Sequence, residues 1–247
     1  MLALDVVTLN LWGLPPPLAW PPRHLRFPRA FRYLRAFDVA AVQELWRPLP
    51  WRIARMAPPS WAAHEARSGL AISARVSVAE SAHTFFRGGG RAHERSWLRK
   101  GFLRVTLEAP ALPGGVVDIV TTHLAAYARK GDATGRARQV DELLEALAPR
   151  GAPVVLLGDF NFYEGDAEDR ASAARLTSAG FVDGAVLHDA GLTYEFGSER
   201  ERFDRVLVRG TTAVPLRVAS ARVRRYDAEL PMLADHRPVE ARVVLGE

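Results

Sequence analysis

Apolar, β-rich segments recur along the chain at 2–12, 38–43, 69–78, 102–109, 116–124, 153–160, 204–209, 215–226 and 238–245. The clearest is Val154-Val155-Leu156-Leu157-Gly158-Asp159-Phe160-Asn161-Phe162, apolar on both faces as a fully buried strand must be, with Gly158 expected to let it end sharply. Elsewhere the spacing becomes helical. Leu25, Phe27, Phe31, Leu34 and Phe37 share a face over 24–37, and Val140, Leu143, Leu144 and Leu147 share one over 134–148, with Thr134 as the expected cap. A third helix is predicted over 169–179. Gly88-Gly89-Gly90 and Pro113-Gly114-Gly115 instead join strand to strand by turns. Helix-linked and hairpin-linked strands together predict an α/β fold with mixed sheets. No repeat or linker divides the chain, so 1–247 is expected to be a single catalytic domain. The proline-rich loop at 13–24 reads as a stiff surface excursion after the first strand.

The polar residues that interrupt this pattern sit at strand ends. Asn10 ends the first apolar run, Glu44 follows the second, His123 closes "DIVTTH", Asp159 and Asn161 close "VVLLGDFN", and Asp235-His236 precede the last run. Each alone has a structural reading: a turn-forming amide, a solvated acid, a hydrogen-bonded core histidine. As a set they differ, because strand ends on one side of an α/β sandwich gather at a common rim. Carboxylates and carboxamides there suit a hard cation such as Mg²⁺ or Mn²⁺, and histidine beside acid suits proton transfer. That is the equipment of metal-assisted phosphoester hydrolysis.

Composition narrows the picture a little. The 247 residues are 48% hydrophobic and 25% charged, enough for a sizeable core, and contain no cysteine, which excludes disulfides and thiolate chemistry. The net charge of +5 is almost all arginine, with Lys100 and Lys130 the only lysines. A basic surface favours phosphate-bearing partners, although an arginine- and alanine-rich composition has a genomic explanation too. No basic start with an apolar core forms a secretory signal, and no stretch reaches the length of a membrane span. The chain therefore reads as cytoplasmic as it stands, with secretion open if a signal segment once preceded it.

The ordered series Asn10, "QE" at 43–44, "THL" at 122–124, "GDFN" at 158–161, "FDRVLV" at 203–208 and "DH" at 235–236 resembles the endonuclease/exonuclease/phosphatase, or DNase I-like, superfamily from residue 7 to 244. The resemblance implies a four-layered α/β sandwich of two mixed sheets packed face to face between helices. It implies Glu44 as the principal metal carboxylate, with Asn10 and Asp235 assisting. His236 would be the catalytic histidine, its ring held by Asp204. Asp159 would orient or deprotonate the attacking water, Asn161 would stabilise the transition state, and His123 would contact phosphate.

Further matches resemble the neutral sphingomyelinase branch: Leu9-Asn10-Leu11-Trp12-Gly13, Ser68-Gly69-Leu70-Ala71-Ile72-Ser73, Lys100-Gly101, His123-Leu124-Ala125-Ala126-Tyr127, and Arg136 with Gln139. These imply a phosphodiesterase acting on a phospholipid headgroup, with Lys100, Tyr127 and Arg136 contacting substrate. The exposed aromatic hairpin of secreted members is not evident in the sequence, nor are the transmembrane segments of others. Loops holding Trp12, Leu18 and Trp20, and Trp46, Leu49 and Trp51, are candidates for peripheral membrane contact or for core packing. A nuclease is the rival reading, for which Arg222, Arg224 and Arg225 would track a phosphate backbone. An inositol or sugar-phosphate phosphatase is a third. No obligate protein partner is evident, and a monomer is expected.

Overall fold

The computed structural model describes residues 1–14, 17–46, 61–96, 98–127 and 131–246. The strands are β1 (Leu2–Asn10), β2 (Val39–Gln43), β3 (Trp61–Glu65), β4 (Leu70–Ala74), β5 (Val78–Phe85), β6 (Gly101–Glu108), β7 (Val116–His123), β8 (Val154–Asp159), β9 (Val182–Asp183), β10 (Tyr194–Phe196), β11 (Glu199–Glu201), β12 (Asp204–Arg209), β13 (Leu216–Val223) and β14 (Val239–Leu245); β3 and β9 to β11 lie outside the apolar runs, and β5 only begins at the end of one. The helices are α1 (Arg23–Leu34), α2 (Ala92–Ser96), α3 (Asp132–Leu147), α4 (Ala167–Ser178) and α5 (Gly184–Leu187).

Two six-stranded sheets result, in the orders β13-β14-β1-β2-β4-β3 and β5-β6-β7-β8-β12-β9, with β10 and β11 forming a separate hairpin. Both sheets are mixed: β1 runs parallel to β2 and antiparallel to β14, and β8 runs parallel to β7 and antiparallel to β12. Their inner faces share one core, in which Val6, Ile72 and Val243 meet Val105, Ile119, Leu157 and Val206. α1 covers the outer face of the first sheet with Phe27, Phe31 and Leu34. On the second, Val140, Leu143 and Leu147 of α3 and Leu176 of α4 do the same. The expected four-layered sandwich is therefore present. It also explains why β8 is apolar throughout: Val155 and Leu157 face the inner core while Val154 and Leu156 face the helices.

Local differences from the sequence reading have physical reasons. The run 69–78 is two strands, β4 and β5, separated at Arg75–Ser77 and belonging to different sheets. Leu25 is exposed, and the inward position beside it belongs to Arg26. α3 begins at Asp132 after Gly131 in a left-handed conformation, so Thr134 lies inside it and donates to Glu168. Gly158 does not end β8, which continues to Asp159. It lies opposite Thr122 with φ 146°, and a Cβ there would stand 2.1 Å from the Thr122 carbonyl oxygen.

Beneath one rim the sheets are joined by a polar clasp. Gln43 donates to Thr8 at 3.1 Å and to Thr121 of the opposite sheet at 2.9 Å, all three fully buried. Gly158→Ala should cost roughly 2–5 kcal/mol, combining overpacking with backbone strain. Urea unfolding would measure it; a loss below about 1 kcal/mol would contradict this packing.

Candidate active site

The pairing registers assemble the site. Gly101 pairs with His123, His123 with Asp159, and Asp159 with Asp204, so β6, β7, β8 and β12 place these residues in one cross-strand row at the sheet's rim. On the facing sheet Asn10 pairs with Gln43, and Glu44 follows directly. Asp235 and His236 enter just before β14, whose Val239 pairs with Thr8.

Asp159 Oδ2 is the meeting point. The Asn10 amide donates to it at 2.9 Å, His123 Nε2 stands 3.4 Å away and His236 Nε2 3.8 Å away, while Asp159 Oδ1 accepts the Asn161 N–H at 3.0 Å. Asn10 Nδ2 also donates to Glu44 Oε1 at 3.2 Å, linking the two acids. Asn10 Oδ1 accepts the Trp12 N–H. His236 Nδ1 lies 2.7 Å from Asp204 Oδ2, which fixes the ring and leaves Nε2 facing Asp159. Asp204 is positioned in turn by its N–H to Thr193 Oγ1. Tyr226 donates to the His236 carbonyl and accepts the Ala234 N–H, anchoring the 234–236 loop.

Lys100 Nζ is 2.7 Å from His123 Nε2 and 3.6 Å from Glu94, all three buried. The cation therefore meets the same ring nitrogen of His123 that faces Asp159. Asn161 Nδ2 donates to the Leu124 carbonyl. Tyr127 is exposed at the edge of the 124–127 loop, beneath the Arg91 guanidinium.

Arg136 is engaged within the protein. It is 1% exposed, binds Asp169 through two hydrogen bonds at 2.7 and 2.8 Å, and donates to the carbonyls of Ala125 and Tyr127. Gln139 accepts the Ala125 N–H. Arg136 and Gln139 thus hold the loop after β7 from behind.

Burial and neighbouring charge perturb these groups. Burial raises the pKa of Asp159, and Asp204 adds to it, against His236, Asn10 and Lys100. Burial alone would lower that of His236, but Asp204, Asp159 and Asp235 together raise it well above its usual value. Burial and then Lys100 and His236 push His123 well below. Asp235 is pushed up to about 7 by burial, with Glu44 and Asp159 contributing in the same direction.

Among the described residues, two carboxylate oxygens are buried without a hydrogen-bond partner, Glu44 Oε2 and Asp204 Oδ1. A lone buried carboxylate oxygen is costly unless a cation meets it. Glu44 Oε2, with Asp235 near enough for the two acids to influence each other, therefore fits a hard divalent cation. Asp159, Asp204 and His236 also bring ligand atoms within 4.8 Å of one another, but Asp204 is already engaged on His236.

Sequence reasoning missed several supporting residues. Arg26, 1% exposed, donates to the carbonyls of Leu11, Trp12, Pro21 and Leu233, tying the loop after β1 to the loop before Asp235. Tyr194 lies 4.9 Å from the His236 ring, on the hairpin of β10 and β11. Its "YEFGSERE" alternation around a Gly-Ser turn was a legible hairpin signal. Among the candidate membrane contacts, Leu18 and Trp20 are exposed and Trp46 is buried, whereas Leu49 and Trp51 lie outside the described residues.

A two-sheet sandwich with acids, amides and histidines at one rim is the architecture of the DNase I-like hydrolases. The chain belongs to the Endonuclease/Exonuclease/phosphatase family, whose model matches residues 7–231, a family of metal-dependent phosphoesterases. Among solved structures it is similar to an endonuclease/exonuclease/phosphatase from Beutenbergia cavernae (22% identity, 99% of this chain and 72% of that one, TM-score 0.74). It is also similar to D. rerio TDP2 complexed with single-strand DNA product (17%, 98% and 99%, 0.72) and to beta toxin from Staphylococcus aureus (17%, 96% and 99%, 0.72). No protein of curated function matches it in sequence.

Breaking the buried Arg136–Asp169 pair tests the supporting role assigned to Arg136. Asp169→Asn should lower stability by roughly 3–5 kcal/mol, because it strands a buried guanidinium. Calorimetric melting reads this directly, and an unchanged melt would detach Arg136 from the loop's stability.

Proposed function

We propose that the protein is a divalent-metal-dependent phosphodiesterase whose preferred substrate is a phospholipid headgroup. The observation that carries the hydrolytic part is the convergence of Asn10, His123 and His236 on the buried Asp159 carboxylate, beside the partnerless oxygen of Glu44. Glu44, with Asp235 and Asn10 at its side, would hold Mg²⁺ or Mn²⁺, which when bound neutralises charge on the phosphate oxygens. Asp159 orients the attacking water. His236, its ring fixed by Asp204, faces the phosphate with Nε2 and exchanges a proton there. Lys100 holds positive charge against His123, on the side where the phosphate oxygens gather negative charge.

The lipid part is supported by the apolar mouth. Trp12 packs edge-on against Phe196 at 6.0 Å on the hairpin that carries Tyr194, and Phe196, Trp20 and Leu18 are 54%, 71% and 64% exposed. Apolar side chains around a polar site suit an interface of headgroup and acyl chain. No helix among the described residues is long and apolar enough to cross a membrane, so contact of this kind would be peripheral. A nuclease is the second reading, favoured by the likeness to TDP2 bound to single-strand DNA product. Against it, Arg222 is paired with Glu240 and Arg224 with Asp227 and Glu229, on a groove of about 650 Å³ beside α1.

With Mg²⁺ or Mn²⁺ the protein should hydrolyse a chromogenic phosphodiester, and His236→Ala should lower kcat by at least about a hundredfold with the fold intact; an unchanged rate would sink the mechanism. Sphingomyelin liposomes, plasmid DNA and inositol phosphates offered in parallel decide the class: phosphocholine release supports the lipid reading, and nicked plasmid with inert liposomes overturns it. Separately, Glu44→Gln should remove the rise in melting temperature that saturating Mn²⁺ gives the wild type. A retained rise would move the metal elsewhere.

A further inference from the structure

The rim row extends beyond the site. Phe85 of β5 pairs with Gly101, which pairs with His123. β5 curls over the glycine so closely that a Cβ there would stand 3.1 Å from Phe85 Cα and 2.3 Å from the Thr84 carbonyl oxygen. This brings Phe85 over the end of the strand that carries Lys100 and next to the strand of His123.

Two guanidinium groups lie over the Phe85 ring, that of Arg99 at 3.8 Å from its centre and that of Arg67 at 4.9 Å. Arg99 immediately precedes Lys100, and Arg67 lies in the turn between β3 and β4, whose Gly69 carbonyl accepts the N–H of Leu45 beside Glu44. Stacking occupies the face of a guanidinium and leaves its in-plane N–H edge free for a planar or tetrahedral oxyanion. Arg67 is 64% exposed on its side chain, with only Glu65 near it at 3.6 Å. Among the residues whose side chains are described, no carboxylate stands within ion-pair distance of Arg99. The remaining titratable neighbour, His83, packs on the same ring at 4.4 Å and carries no charge near neutrality, since burial pushes it down to about 4.

We infer that Arg67 and Arg99, stacked on Phe85, form a subsite for the phosphate of an anionic lipid headgroup adjacent to the one being cleaved. The inference rests on the phospholipid reading of the catalytic site. A nucleic acid would fit the same arginines less well: a base needs an open aromatic face, and Phe85 is already covered by both guanidinium groups. The exposed aliphatic Leu18 also has no counterpart in a nucleic acid, whereas a bilayer accommodates an apolar and a cationic contact together.

The test reads binding rather than turnover, so it fails or succeeds independently of the hydrolytic mechanism. The full-length protein is co-sedimented, in EDTA so that no metal bridges protein to lipid, with phosphatidylcholine vesicles or with vesicles containing phosphatidylglycerol. The Arg67→Ala/Arg99→Ala variant should bind the anionic vesicles roughly tenfold to thirtyfold more weakly than wild type, at about a surface arginine's share each. Neutral vesicles should show little difference, and the wild-type preference for anionic vesicles should collapse at high salt. Arg67→Lys/Arg99→Lys should recover part of the affinity, keeping charge without the stack. The single Arg99→Gln variant serves if the double variant melts early. Undiminished binding to anionic vesicles overturns the inference. So does an equal loss on both vesicle types, or a loss confined to single-stranded oligonucleotide.

Discussion

The structure depends on a carboxylate, Asp159, held 1% exposed at the end of a central strand. A buried acid is tolerated only with donors on its oxygens. Asp159 obtains them from both sheets: the Asn161 N–H from its own chain segment, the Asn10 amide from across the sandwich, and two histidine rings flanking it. Closing the two sheets over the inner core and forming the site are thus the same event. The Thr8–Gln43–Thr121 clasp lies under it and fixes the spacing between the sheets.

Backbone strain is concentrated at the same rim. Of the five non-glycine residues with positive φ among the described residues, Trp12, Glu44, Tyr127 and Asn161 all follow strands that deliver site residues. Each such conformation costs of order 1–3 kcal/mol and persists only when its surroundings over-determine it. Here they do. The Trp12 N–H is held by Asn10, the Asn161 N–H by Asp159, the Tyr127 carbonyl by Arg136, and the residue after Glu44 by Gly69. Left-handed turns directly after a strand aim a side chain back over the strand end, where extended backbone would carry it away. The polar groups that relieve the strain are in part the chemical groups themselves.

This also explains what could be read from the sequence. Hydrophobic runs mark the central strands of both sheets, because a strand buried on both faces has no polar position to confuse the pattern; the edge strands β3 and β5, half-buried or exposed, lack that mark. Asn10, Glu44, His123, Asp159 and His236 were legible because each interrupts such a run. Arg26 and Arg136 were not read correctly, for the same reason in opposite directions. Both are buried guanidinium groups whose partners are backbone carbonyls or a distant acid, so their own sequence neighbourhoods carry no trace of the role. Arg26 sits inside an apolar helix face that gives no sign of its backbone partners, while Arg136, expected at substrate, is engaged by Asp169. A strand as short as β9 falls below the length at which periodicity speaks.

The mouth of the site is asymmetric, and the topology makes it so. On the side of β1 the chain leaves the sheet through Trp12 and the proline-rich loop and meets the β10–β11 hairpin, so the flank is aromatic. On the other side β5 is an edge strand, and its unpaired edge is followed by arginines on the neighbouring turns. Charge at an edge discourages strand-to-strand aggregation, which is a sufficient structural reason for basic residues there. It does not explain why two of them lie over one ring in the row of the candidate site residues, where mutual repulsion opposes their approach. Charges of like sign held together in this way are relieved by an anion; Glu65 meets only Arg67, so the pair as a whole still favours a further anionic group.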